Sequence, residues 1–131
     1  MTTTVYLDAS VVLAQLFAED RAPADGFWSQ AFAASRLLEF EVFNRVHARG
    51  AAATHGADAR RLVDRVHLVE MTPRTLGRAL LPFAQPVRTL DALHLATMDF
   101  LRAQGLTLAL ATYDQRLAAA AVGLGFALAD C

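Results

Sequence analysis

Apolar and polar positions fall into blocks that read as strand and helix in turn. Val5-Tyr6-Leu7 is a short apolar run closed by Asp8, which predicts a strand; Ser10 then stands where it can cap a helix through Val11, Val12, Leu13, Leu16 and Phe17. Asp20 to Asp25, with Pro23 inside, predicts a loop, after which Phe27, Trp28, Ala31 and Phe32 recur at helical spacing and predict a second short helix. Ser35 opens a long helical run to about Ala53, and Gly56 separates it from another to about Val66, which together predict a helical hairpin. His67 to Glu70 is the next strand candidate, Pro73 marks a helix start, and Pro82 to Pro86 a break. The pattern continues with a helix from Asp91 to Gln104 ended by Gly105, a strand from Thr107 to Ala111, a helix from Asp114 to Val122 and a last apolar run at Phe126-Ala127-Leu128. Strands alternating with helices predict an α/β domain of three layers, with a mainly parallel central sheet covered by helices on both faces.

Size and composition narrow the picture. With 131 residues, 55% of them hydrophobic, the chain suits one domain over 1–131, and no repeat or low-complexity linker divides it. The single cysteine, Cys131, can form neither an internal disulfide nor a multi-thiolate metal site. The first residues lack a basic segment followed by an apolar run, and the most apolar stretch, Leu117 to Ala129, is too short for a membrane span and is broken by Gly123 and Gly125. A cytoplasmic protein without a membrane anchor is expected. All 12 basic residues are arginine, so the phosphate lysine of a P-loop and the strand lysine of a response-regulator receiver are missing. A net charge of −1 offers no global attraction to a polyanion, and any nucleic-acid binding must come from local arginines.

The candidate chemistry lies in carboxylates. Asp8 and Asp114 each follow an apolar strand, and Asp91 opens a helix, so a parallel sheet would project all three from the edge where such folds bind ligands. Glu41, one or two turns into the helix after Ser35, can reach the same rim. Four carboxylates this close repel one another and are tolerable mainly beside a cation; an all-oxygen set without clustered His or Cys suits Mg2+ or Mn2+ and phosphodiester hydrolysis. Taken singly the acids have plainer roles: Asp91 and Asp114 can cap helices, and Glu41 can pair with Arg45 one turn on. Asp8 is harder to explain away, because a carboxylate ending an apolar strand enters a partly buried position that needs a partner.

Four segments in order, Tyr6-Leu7-Asp8-Ala9-Ser10, Ser35 to Glu41, Arg88-Thr89-Leu90-Asp91 through Ala96, and Ala111-Thr112-Tyr113-Asp114 through Leu117, resemble the PIN-domain ribonucleases, and in particular the VapC toxins of toxin–antitoxin pairs. The resemblance covers nearly the whole chain. It implies a parallel sheet flanked by helices, acids at Asp8, Glu41, Asp91 and Asp114 that bind Mg2+ or Mn2+, and metal-dependent endoribonuclease activity leaving 5′-phosphate and 3′-hydroxyl ends. It also implies a VapB-type antitoxin that inserts a helix or tail into a groove of the toxin, and a homodimer. Ser10 and Thr112 match small hydroxyl positions that support the metal-binding acids or water; helix capping is their plainer role.

Glu39 and Glu41 differ by about 200° around a helix with apolar residues beside both, so periodicity does not choose between them. The family spacing selects Glu41. His94, three residues after Asp91, reads as a hydrogen-bonded structural histidine rather than a proton-transfer group. The stretch from Arg36 to Arg65 has six arginines against four acids and can track an RNA backbone, with Arg45 and Arg49 as the named contacts; a solvated helix face is the equal alternative. The mean hydropathy of +0.32 and the cluster of Phe17, Phe27, Trp28 and Phe32 allow either core packing or a partner-covered surface. The main rival function is a non-catalytic PIN-like module that binds RNA or protein. A haloacid-dehalogenase-type phosphatase would need a second aspartate where Ser10 stands, and a dinucleotide-binding protein a glycine-rich turn after the first strand.

Overall fold

A computed structural model describes residues 2–131. The first strand, β1 (Thr3–Leu7), leads into α1 (Ala9–Leu16); a short 3-10 turn at Asp25–Ser29 precedes β2 (Phe32–Ser35), and α2 (Leu37–Ala48) and α3 (Ala52–Val63) follow. Then come β3 (Val66–Val69), α4 (Pro73–Ala79), α5 (Thr89–Ala103), β4 (Thr107–Ala111), α6 (Gln115–Gly123) and β5 (Ala127–Leu128). The sheet runs β3-β2-β1-β4-β5 with every pair parallel. The predicted α/β fold with a parallel sheet flanked by helices is therefore the observed one.

The order has a direct consequence for function. Chain order moves outward from β1 through β2 to β3, then returns to the other side of β1 for β4 and β5. Right-handed crossovers in opposite directions put α1–α3 on one face and α4–α6 on the other; consistently, α1, α2 and α3 pack on one another, as do α4 with α5 and α5 with α6. The reversal lies between β1 and β4, where open α/β sheets have a crevice beyond the strand ends. Asp8 follows β1 and Asp114 follows β4, and the Asp8 N–H donates to the Ala111 carbonyl at 3.0 Å, so pairing carries on to the rim.

The core takes in Tyr6, Leu7, Val11, Val12, Leu38, Val42, Leu95, Met98, Leu110 and Leu117. Val5, Tyr6 and Leu7 are all buried, since a central parallel strand has helices over both faces. No helix among the described residues is long and apolar enough to cross a membrane.

Several local expectations change. Residues 32–35 are not the end of a helix but a strand, buried along its whole length between β1 and β3. Ala33 and Ala34 favour helix in isolation, yet small side chains let α5 lie close on β2, and the sheet position decides. Ser35 thus ends β2 rather than opening a helix, although its Oγ still accepts the Leu37 N–H at 3.2 Å. The hairpin breaks at Gly50, whose φ of +63° a residue with a Cβ adopts at a penalty, while Gly56 lies inside α3. Asp8, not Ser10, caps α1. The aromatic cluster is core: Phe27, Phe32 and Trp28 are buried, Trp28 at 9% exposure, and the Trp28 Nε1–H donates to Gln15 Oε1 at 3.2 Å. Phe17 is half-buried under the Arg49 guanidinium, 4.2 Å from its ring centre. The large exposed apolar side chains are instead Phe40, Leu76, Leu80, Leu81, Leu90, Leu106, Val122 and Leu128.

Candidate active site

Asp8 is built into the rim by its neighbours. At only 9% exposure, its Oδ2 accepts from Ser10 Oγ at 2.5 Å, from Thr112 Oγ1 at 2.7 Å and from the Ser10 N–H at 3.4 Å. The same hydroxyls continue outward: Ser10 Oγ accepts the Tyr113 N–H at 3.0 Å, and Thr112 Oγ1 accepts the Asp114 N–H at 2.9 Å. Ser10 and Thr112 are therefore the pins that lock the turn after β4 against the turn after β1, and among the described residues they leave Asp8 Oδ1 without a hydrogen bond. Asp114 caps α6, its Oδ1 accepting the N–H groups of Arg116 at 2.9 Å and Leu117 at 3.2 Å. The capping role and the rim position coexist, since Oδ2 makes no hydrogen bond among the described residues.

Asp91, in the first turn of α5, is half-buried, and its carboxylate makes no hydrogen bond among the described residues. Burial pushes its carboxyl above the usual range, and the charges of Asp114 and then Asp8 push it further; His94 and Arg88 pull it back in part. Asp91 thus feels the charges of both other aspartates across the crevice.

Glu41 reaches the site from α2 and is held from inside. His94 Nε2 stands 2.6 Å from Glu41 Oε1, and His94 Nδ1 stands 2.8 Å from the Tyr6 hydroxyl, which accepts the Ser35 N–H at 3.0 Å. Burial pushes the Tyr6 hydroxyl far above the usual phenol range, so it remains protonated and directs its hydrogen at Nδ1 of the neutral ring, whereas a charged ring donates its Nδ1–H to the Tyr6 oxygen. Burial pulls the His94 ring down, but the Glu41 hydrogen bond and the charges of Glu41, Asp8 and Asp91 prevail and the net displacement is upward. Neutral or charged, the ring keeps a proton on Nε2 toward Glu41. The residue expected to be a structural histidine is one, and it orients an acid of the rim. The relay through Tyr6 escapes sequence reasoning, because nothing in the spacing of residues 6, 41 and 94 brings them together; only the position of His94 on the Asp91 face of one helix hinted at it.

Glu39 points elsewhere, paired with Arg60 at 2.7 Å and Arg36 at 3.5 Å, and Glu41 makes no salt bridge to Arg45. Arg36 also meets Glu70, Arg61 pairs with Asp58, and Arg65 donates to the Trp28 carbonyl. The hairpin's excess of arginine is therefore largely committed to internal contacts. Arg45 is not: it lines a cleft of about 480 Å³ together with Glu41, Asn44, Phe40 and Leu90. Arg49, stacked on Phe17, does not line that cleft.

The donors are hard oxygens, and among the described residues Asp8 Oδ1, Asp114 Oδ2 and both oxygens of Asp91 make no hydrogen bond, which suits Mg2+ or Mn2+ in kind. No three His, Cys, Asp or Glu side chains among the described residues already stand grouped to hold an ion. A closed cage is not what Mg2+ requires: it keeps several waters and binds through one or two carboxylates plus substrate phosphate.

Comparison with curated proteins gives no match. A family comparison matches PIN domain over residues 5–123, a span from β1 to the end of α6 that contains all four acids. With the parallel sheet and the carboxylate rim at its switch point, this match places the chain in the PIN domain family.

Proposed function

We propose that this protein is a metal-dependent endoribonuclease and the toxin of a VapBC-type toxin–antitoxin pair, acting in the cytoplasm. The observation that carries the nuclease reading is the placing of Asp8 and Asp114 after adjacent strands at the sheet's reversal, with the Asp91 carboxyl pushed up by burial and by the charges of Asp114 and Asp8. PIN domains are typically metal-dependent nucleases, and Asp8, Glu41, Asp91 and Asp114 all lie within the matched residues 5–123.

Asp8, Asp91, Asp114 and Glu41 would hold Mg2+ or Mn2+, which supplies neutralising charge for a phosphate and lowers the pKa of water. The chain's own part is orientation. Ser10 and Thr112 fix one Asp8 oxygen and turn the other to the crevice. His94 holds Glu41, and the α6 amides hold Asp114. Water attack on phosphorus with cleavage of the P–O3′ bond leaves 5′-phosphate and 3′-hydroxyl ends. Arg45 contacts the RNA beside Glu41.

The partners follow the exposed apolar surface, not Trp28. A second copy covers Leu76, Leu80 and Leu81, which stand at 40%, 87% and 58% exposure beside a cleft of about 650 Å³. The antitoxin segment enters the smaller cleft flanked by Phe40 and Leu90 and so blocks Glu41 and Arg45.

The test is cleavage of total RNA by purified protein with Mg2+ or Mn2+, against EDTA and Asp8→Asn. Cuts lost in both controls support the reading. RNA binding without cuts, from antitoxin-free protein, favours the non-catalytic module.

A further inference from the structure

Among the described residues, nine of the 12 arginines spend their guanidinium in a salt bridge, a carbonyl hydrogen bond or an aromatic stack. The three that do not are Arg45, Arg88 and Arg116, and all three are exposed at the acidic rim. Arg45 lies on the Glu41 side. Arg88 and Arg116 lie on the other, lining with Asp91 a separate cleft of about 480 Å³ whose remaining walls are Gln85, Pro86 and Val87. Their backbones are fixed: Arg88 is the N-cap of α5, and the Arg116 N–H is bonded to Asp114 Oδ1. Arg88 already acts on Asp91 through its charge.

We propose that Arg88 and Arg116 form a phosphate-binding subsite at the α5/α6 seam, which takes the RNA phosphate next to the scissile one. The inference rests on the nuclease reading and adds to it the path of the strand. A polyanion approaching a carboxylate cluster on a chain of net charge −1 needs local cations, and guanidinium forks match phosphate oxygens two at a time. With Arg45 opposite, the strand crosses the crevice with a cation on each side of the cut.

The experiment is steady-state cleavage of a short single-stranded RNA of randomised sequence in Mg2+ over a range of NaCl concentrations. Wild type is compared with Arg88→Ala/Arg116→Ala and with Arg61→Ala/Arg74→Ala, which removes equal charge from elsewhere. In the first variant KM rises about tenfold or more, kcat stays within about twofold, and the log–log salt slope falls by ~0.7, the value for one phosphate contact on single strands. The control variant keeps the wild-type slope. Unchanged KM and slope in a wild type that cuts overturn the subsite alone. A fall in kcat with a changed Mg2+ requirement also overturns it, assigning Arg88 to Asp91 instead of RNA, as does loss of antitoxin affinity with RNA kinetics intact. A wild type that cuts no RNA removes the nuclease reading and the subsite together.

Discussion

The Tyr6–His94–Glu41 chain gives the sharpest quantitative test of the site's support. Replacing His94 with Leu keeps an apolar side chain of similar size at a position only 2% exposed, and removes both ring nitrogens. The Tyr6 hydroxyl then has a buried donor with no acceptor, a loss of about 1–3 kcal/mol. Glu41 loses the Nε2–H, but with its side chain 22% exposed water replaces much of that bond, so this part is at most ~1 kcal/mol. Extra apolar burial returns ~1 kcal/mol. The net destabilisation is about 1–3 kcal/mol, which for a domain of this size lowers Tm by about 4–12 °C. The decisive measurement is a double-mutant cycle with Tyr6→Phe in urea unfolding. Tyr6→Phe alone strands His94 Nδ1 and the Ser35 N–H, but the Nδ1 part vanishes once His94 is gone. The double variant is therefore less damaged than the sum of the singles by about 1–2 kcal/mol. Additivity within ~0.5 kcal/mol would refute the idea that these groups form one energetic unit.

Other outcomes follow from the same geometry. Asp91→Asn, measured by thermal melts in EDTA, keeps or raises Tm at neutral pH while abolishing RNA cleavage. The Asp91 carboxyl is raised in the folded state, so its contribution is favourable below the unfolded value near 3.8 and is lost as pH rises through the folded one; the variant's advantage must therefore shrink on acidification. Added Mg2+ stabilises wild type by about 2.7 kcal/mol at about 100 times its Kd, and calorimetry finds little of that gain in Asp8→Asn. Leu80→Asp with Leu81→Asp turns the proposed dimer into a monomer in sedimentation while Tm changes little, both side chains being exposed; an unaltered dimer would move that interface off the segment that follows α4.

Much of this was legible in the sequence where local pattern and tertiary position agree. Asp8 after Val5-Tyr6-Leu7, and Asp114 after Thr107–Ala111, could be placed at one edge because a strand's end is local information and a parallel sheet aligns such ends. β2 was not legible. Phe32-Ala33-Ala34-Ser35 has helical composition, and its strand conformation comes from β1 and β3 on either side. Trp28 stayed undecided between core and partner surface for a related reason: composition counts apolar area without saying which of it the core absorbs, and the surface left over lies at Leu80 and Leu81, near the Pro82 to Pro86 break. Glu41 could be separated from Glu39 only by family spacing. The physical distinction is partnership, Glu39 with arginines on its own side and Glu41 with a histidine 53 residues away. Arg88 and Arg116 were overlooked because what sets them apart is a guanidinium with no salt bridge, carbonyl hydrogen bond or aromatic stack among the described residues, and a sequence does not display that.

The hydroxyl pins between Asp8 and Thr112 join residues 104 positions apart. During synthesis, a chain that has delivered β1, β2 and β3 possesses Asp8 and Glu41 but neither the strand that flanks Asp8 nor the threonine that orients it. A partial chain thus lacks part of the acidic rim, which is completed only once β4 lies beside β1. On the proposed nuclease reading, the order of the strands delays the completed site until most of the chain has been made.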